Sequence, residues 1–290
     1  MDQAQIFYAV IIAFSAGLAL AYLALVASTP PPLQELPSEN NYRAPKDPNT
    51  SRPLPSIQDA ASLDLSIIIP AYNETQRLPS MLSSTLEHLS SFPKRSFEIL
   101  IIDDGSSDGT ASLELNRGKG GAVRHGMLHA RGRRLLMLLL DALDSIAPTE
   151  SDAAGIAIGS RAHLVKTEAV VKRSFIRNFL MYGLHTVLRI AGVGHVRDTQ
   201  CGFKLFSRAA ARALFPRQHL ATWIFDVEIL LLAKTLSIPV VEVPVTWNEV
   251  AGSKLSVVQD SLRMLRDLLV LRANQLLGRW TMGEEKLKAD

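Results

Sequence analysis

At 290 residues, 47% of them hydrophobic, the chain can bury one sizeable core, and a single domain plus one membrane segment fits the length best. Lys and Arg number 31 against 28 Asp and Glu, a formal net charge of +3, too slight an excess to argue for nucleic acid, and no such partner is expected. The lone cysteine, Cys201, excludes an internal disulfide framework and a cysteine-rich zinc site, and it fits a reducing compartment.

Residues 6–27, IFYAVIIAFSAGLALAYLALVA, carry no charge and are long enough to cross a bilayer as a helix. The preceding MDQAQ lacks Lys and Arg, and the apolar run is too long for an ordinary cleaved signal, so a transmembrane signal anchor is expected, with residues 1–5 lumenal. Arg43 and Lys46 follow the span and no basic residue precedes it, which favours a cytosolic C-terminal side. Residues 28–62 hold Pro30, Pro31, Pro32, Pro37, Pro45, Pro48, Pro53 and Pro55 among polar residues and are expected to form an extended tether. The main domain is then 63–257, followed by an amphipathic helix and tail over 258–290.

Within the domain, LDLSIIIPAYNE is a short apolar run ending at a proline, the pattern of a buried parallel strand, with a helix after it to about His88. FEILIIDDGSSDGT repeats the arrangement, with a strand over 97–102 opening into a turn of Asp, Gly and Ser. Strand, helix, strand implies a right-handed parallel unit that places ligands at the C-terminal strand ends. NRGKGGAVRHG is a glycine-rich turn entering a helix. RRLLMLLL fits a buried strand or the start of a helix equally well. AAGIAIGSR is a strand, SIPVVEVPVTW a late strand that Pro239 and Pro244 push to a sheet edge, and DSLRMLRDLLVLRANQLL an amphipathic helix.

Two carboxylates at the end of a buried strand, Asp103 and Asp104, need donors or cations. They either cap the turn or accept hydrogen bonds from a nucleotide base or ribose while Gly105 lets the backbone approach. Pro70, Tyr72, Asn73 and Glu74 at the preceding strand end would form the other wall of that pocket. Backbone donors at the start of the next helix, with Arg117, Lys119 and Arg124, suit a diphosphate, although neither a Walker loop nor a Rossmann fingerprint is present. From 169 to 197 the chain has Lys172, Arg173, Arg177, Arg189 and Arg197 and no acidic residue, with apolar residues at helical spacing. Such a helix either lies on an anionic membrane and gathers a lipid phosphate or simply turns a solvated face outward. The stripe Leu262, Leu265, Leu268, Leu269 with Arg263, Arg266 and Arg272 admits the same two readings. Gln200, Lys204, Asp226 and Glu228 sit among aromatic and aliphatic residues. On a helix Asp226 and Glu228 diverge, so one would orient or accept while the other caps or pairs. The histidines make no metal-ligand spacing.

In order, IIIPAYNE, IIDDGSSDGT, NRGKGGAVRHG, GSR, DTQCGFKLF and WIFDVEIL resemble the inverting GT-A glycosyltransferases of the dolichyl-phosphate hexosyltransferase group, from about Ser66 to Lys254. The anchor and tether are similar to those of its dolichyl-phosphate beta-glucosyltransferases. The resemblance implies an α/β GT-A (Rossmann-like), mostly parallel sheet flanked by helices, with an N-terminal transmembrane helix. It implies glucose transfer from UDP-glucose to dolichyl phosphate for protein N-glycosylation, at the endoplasmic reticulum membrane and among its lipids, with Mg²⁺ or Mn²⁺ as cofactor. A mannosyltransferase using GDP-mannose and a non-catalytic membrane protein that keeps the fold are the alternatives.

Carried over motif by motif, Pro70, Tyr72, Glu74 and Asp103 or Asp104 would hold uridine, with Lys119 near the diphosphate. Arg161, Arg173 and Arg177 would bind the acceptor phosphate, and Asp226 or Glu228 would orient groups. The family normally places a helix and a strand between DDGSSDGT and NRGKGG, where this chain has only ASLEL. It also carries an Asp-x-Asp metal motif after the strand beginning RRLLML, where this chain continues LLDALD; Asp141 and Asp144 belong to the expected next helix, so the metal ligands are unidentified. Two internal segments, near Ser112 and Leu138, are read as missing.

Overall fold

A computed structural model describes residues 3–33, 36–44, 47–108, 118–137, 153–162, 192, 194, 196–245 and 257–280. Helix α1 (Gln3–Ser28) begins the chain. Its Gln5–Ser28 portion has a mean hydropathy of 2.4, is long and apolar enough to cross a membrane, and has none of its most apolar window buried. Leucines, isoleucines and phenylalanines facing outward all around a helix are stable only in lipid or under a partner.

The stretch expected to be an extended tether has structure of its own. Strands β1 (Asn41–Ala44) and β2 (Asp47–Pro53) pair antiparallel, and a two-stranded ribbon tolerates Pro48 and Pro53 because it has only edges. Further on, Ile57 is buried in the main core. The backbone around it is gripped by two arginines: Arg208 donates to the carbonyls of Ser56, Asp59, Ala130 and Gly132, and Arg212 Nε donates to Ile57 O at 2.6 Å. A buried guanidinium needs that many acceptors, so this part of the Pro-rich stretch is docked on the domain.

The domain is built on six strands: β3 (Leu63–Ala71), β4 (Phe97–Asp103), β5 (Gly132–Met137), β6 (Ile156–Ser160), β7 (Lys204–Ser207) and β8 (Val240–Pro244). Their order is β4-β3-β5-β7-β6-β8. The pairs β3/β4, β3/β5 and β6/β8 are parallel, and β7 runs antiparallel to both β5 and β6. The expected α/β sheet is thus present with one strand reversed. Ile67, Ile68 and Ile69 of β3 are all fully buried, as befits a strand covered on both faces. Residues 133–137 of RRLLML lie in strand β5, and the two prolines near β8 do lie on an edge. Among the described residues five helices accompany the sheet: α2 (Leu78–Ser90), α3 (Lys119–Leu128), α4 (Arg208–Leu214), α5 (Phe225–Thr235) and α6 (Val257–Leu276).

Candidate active site

The strand register brings the expected residues to one edge of the sheet. Ala71 is opposite Asp103, Ile68 opposite Met137, Met137 opposite Lys204, and Lys204 opposite Ile158. The C-terminal ends of β4, β3, β5 and β6 therefore share an edge with the start of the reversed β7. Along it stand, in order, Asp103–Gly105, Tyr72–Glu74, Met137, Lys204 and Ser160–Arg161. This is the rim at which open α/β sheets bind ligands.

The β3 and β4 ends form a cross-braced pair of turns. Asp104 N donates to Ala71 O at 2.7 Å, Asn73 N to Ser106 Oγ at 2.8 Å, and Ser107 N to Asn73 Oδ1 at 2.8 Å. Asn73 (φ 55°) and Gly105 (φ 74°) both adopt the left-handed conformation, which asparagine and glycine accept most readily. Asp103 accepts from Ser106 N and Ser106 Oγ, so this carboxylate shapes the turn. Asp104 is buried beside it, and Tyr72 stays 45% exposed at the mouth. Glu74 is bound by the Arg77 guanidinium, with Nε at 2.7 Å from Oε2; sequence pattern gave no sign of that partner.

At the other end of the rim, Asp226 is fully buried and meets two lysines. Lys204 Nζ lies 2.7 Å from Oδ1 and Lys119 Nζ 3.4 Å from Oδ2. Lys204 also donates to Cys201 O at 2.6 Å. Lys119 sits over the Trp223 and Phe225 rings, 5.2 and 5.3 Å from their centroids. Burial is the main reason its ammonium is held below the usual lysine range, with Lys204 adding to it and Asp226 opposing. The glycines on either side of it are closely packed. A Cβ at Gly120 would come within 2.8 Å of both Ala221 O and Phe225 Cβ, and Gly118 has φ 81°. Arg124 Nε donates to Phe215 O at 3.1 Å.

Asp226 and Glu228 diverge on α5 as the helical reading requires. Glu228 accepts from the N–H groups of His219 and Leu220 and contacts His219 Nδ1 at 2.9 Å. It fastens the loop before α5, and its oxygens are taken. Gln200 lies half-buried in the turn before β7. Arg173, Arg177 and Arg117 lie outside the described residues.

Arg161, expected at the acceptor phosphate, is tied to Asp198: Nε donates to Oδ2 at 2.7 Å and Nη2 to Oδ1 at 2.9 Å. Burial alone would raise the Asp198 carboxyl, yet the Arg161 guanidinium and backbone N–H outweigh it and hold the group below its ordinary 3.8. A carboxyl lowered on folding stabilises the native state above its unfolded pKa, and that contribution disappears as pH falls through the lower folded value. The detergent-solubilised chain should therefore lose denaturant resistance below about pH 4. Asp198→Asn should start lower at pH 6 and show a flatter decline, measured by unfolding midpoints across that window.

The described residues do not fit a divalent cation. Among the described residues, no group of three or more His, Cys, Asp or Glu could hold one. The remaining rim carboxylates have other partners: Asp103 the Ser106 turn, Asp198 Arg161, Asp226 two lysines and Glu228 the His219 loop. The central place on the rim is taken by Met137, 1% exposed, and three leucines follow it in sequence.

Residues 66–215 match the family model described as Glycosyl transferase family 2. The chain belongs to glycosyl transferase family 2. Its relatives include the dolichyl-phosphate beta-glucosyltransferases of Saccharomyces cerevisiae (41% identical, covering 96% of this chain and 95% of the relative), Drosophila melanogaster (42%; 93% and 94%) and Homo sapiens (39%; 80% and 82%). Among solved structures, the glucosyl-3-phosphoglycerate synthase of Mycobacterium tuberculosis with uridine diphosphate matches at a TM-score of 0.49 and 16% identity, over 73% of this chain and 81% of that one. The yeast alignment has 320 positions, whereas 96% of 290 residues is about 278. About 40 positions of this family member are therefore blank. The Drosophila alignment, with 307 positions against about 270 residues, leaves a similar deficit.

Proposed function

We propose that this site transfers glucose from UDP-glucose to dolichyl phosphate, giving dolichyl beta-D-glucosyl phosphate, at the endoplasmic reticulum membrane with the domain on the cytosolic face. The observation that carries this is the 41% identity to the yeast dolichyl-phosphate beta-glucosyltransferase across nearly the whole of both chains. The intact β3 and β4 turns support it, since they give a nucleoside two braced walls and an exposed tyrosine. Helix α1 supplies the anchor that a lipid acceptor calls for.

In this reading uridine lies between Pro70–Glu74 and Asp103–Gly105. The acceptor is a phosphate monoester whose oxygen is already ionised, so it attacks the anomeric carbon without losing a proton to the protein. The bond to the UDP oxygen breaks, its electron pair leaves on the diphosphate, and configuration inverts. No strong general base is needed, and the protein's share is placement and charge compensation. Lys119 and Lys204 are the cations on the donor side, and Asp226 is a positioning residue that holds both. Arg161, fixed by Asp198, together with Arg173 and Arg177 supplies the cations for the acceptor phosphate.

Membranes carrying the full chain, given dolichyl phosphate and either radiolabelled UDP-glucose or radiolabelled GDP-mannose, test the assignment. Label should enter the lipid from UDP-glucose and not from GDP-mannose. Faster labelling from GDP-mannose would replace the glucosyl assignment with a mannosyl one.

A further inference from the structure

Outside α1, the most exposed large apolar side chains among the described residues belong to one place: Leu262 (61%), Leu269 (60%), Leu276 (78%) and Leu277 (56%), all on or just after α6. Three of them recur every seven residues, and a helix drifts only about 20° per seven residues, so they form one stripe about 21 Å long. The opposite side of α6 is committed to the domain. Leu268, Val270 and Leu271 are buried in it, and Thr222 Oγ1 donates to the buried Asp267 at 2.7 Å. Beside the stripe stand Arg263 and Arg266, with side chains 68% and 61% exposed, while the helix's two acidic residues, Asp260 and Asp267, are largely covered. Arg263 is paired with Asp260 at 3.6 Å and Arg266 with Asp267 at 2.7 Å, so the outward face is leucine flanked by two exposed, ion-paired guanidinium groups.

The C-terminal end of α6 is fastened to the end of the apolar span. Asn274, fully buried, donates from Nδ2 to Thr29 Oγ1 at 3.0 Å and to Val270 O at 2.8 Å. Just past the helix, the Arg279 guanidinium lies over the Tyr22 ring at 5.7 Å. Tyr22 is six residues before the end of α1, about 9 Å along its axis, and a tyrosine paired with a long basic side chain is typical of the membrane–water boundary.

We propose that α6 lies along the membrane surface as a second attachment, with its leucine stripe in the lipid interface and Arg263 and Arg266 toward anionic headgroups. The occupant is lipid because the helix is pinned at one end to the span and presents the leucine-plus-arginine face of interfacial helices. The proposal rests on α1 being a membrane span. With two attachments the rim of the sheet is held at a fixed height and tilt over the bilayer, where a single helix and flexible tether would let it swing.

The test uses the full chain in vesicles of phosphatidylcholine and phosphatidylserine, with single introduced cysteines carrying an environment-sensitive fluorophore. Cys201 is buried, and burial raises its thiol pKa, so it does not compete for label. Probes go at Leu262→Cys, Leu269→Cys and Leu276→Cys, with Leu20→Cys in the span and Glu87→Cys on exposed α2 as references. Doxyl-labelled lipid should quench all three α6 probes several-fold more than the Glu87 probe, and replacing phosphatidylserine by phosphatidylcholine should weaken quenching at Leu262 and Leu269. Quenching at Leu20 with Leu262 and Leu269 no different from Glu87 would overturn the proposal and leave the anchor standing. Loss of quenching at Leu20 would overturn both. Probes that are shielded yet unquenched by lipid would mean that a second copy covers the stripe, which also overturns it. Unchanged circular dichroism and unfolding midpoint qualify each variant for the comparison.

Discussion

Asp226→Ala should lower the unfolding free energy of the detergent-solubilised chain by about 3–5 kcal/mol, the range for removing one partner of a buried ion pair. The reason is the asymmetry of what remains. Lys204, 1% exposed, would keep only Cys201 O, and Lys119 only the Trp223 and Phe225 rings, with two ammonium groups left facing each other. A carboxylate between two buried lysines is thus a structural necessity at the same time as a positioning device. Glu228→Gln provides the contrast. It weakens hydrogen bonds to two backbone N–H groups and His219, leaves an amide oxygen to accept, and should cost about 1–3 kcal/mol. Tryptophan fluorescence against denaturant measures both. If the midpoint of Asp226→Ala matched that of the unchanged chain, the lysines would have to escape to solvent, and the account of this cluster would fail.

The same cluster shows what the sequence made legible and what it did not. Short apolar runs between turn residues marked β3, β4, β6 and β8, of which β3 and β6 are largely buried while β4 and β8 lie at the sheet edges. The helical reading of WIFDVEIL correctly separated Asp226 from Glu228. Which of them pairs and which caps depended on Lys204, Lys119 and His219, brought in by strand order and by loops that no periodicity encodes. Arg161 carried the right chemistry for a phosphate, but its partner Asp198 is 37 residues away and nothing local announced it. Gly118 and Gly120 looked like a phosphate cradle, yet the carbonyl of Ala221 is what leaves no room for a side chain. Ile57 and the carbonyls around it seemed part of a tether because their anchor, Arg208, lies about 150 residues on. Local pattern gives elements and their ends; contacts between elements decide which charged group serves a ligand and which serves the fold.

Inserting about 40 residues of the yeast relative near Ser112 and Leu138, where the sequence reading expects segments to be missing, should raise glucosyl transfer by about 10²–10³-fold, because charge compensation by a divalent cation contributes several kcal/mol and each 1.36 kcal/mol is about tenfold in rate. The basis is the donor set of this chain. The centre of the rim, between the nucleoside turns and Lys204, ends β5 in Met137 with three leucines after it, and the rim carboxylates with known partners are bound elsewhere. Among the described residues Lys119 and Lys204 are the cations on the donor side, and Asp226 already neutralises part of their charge. Among the described residues β4 is an edge strand and leaves Phe97 36% and Ile101 39% exposed, an apolar edge that an added segment could cover. The chain with the insertions should respond to added Mg²⁺ and unfold at higher denaturant, while the present chain should transfer glucose slowly and show little dependence on the ion. Equal rates for the two chains would mean that the two lysines suffice to compensate the leaving diphosphate, and that the inserted stretches matter to neither chemistry nor sheet.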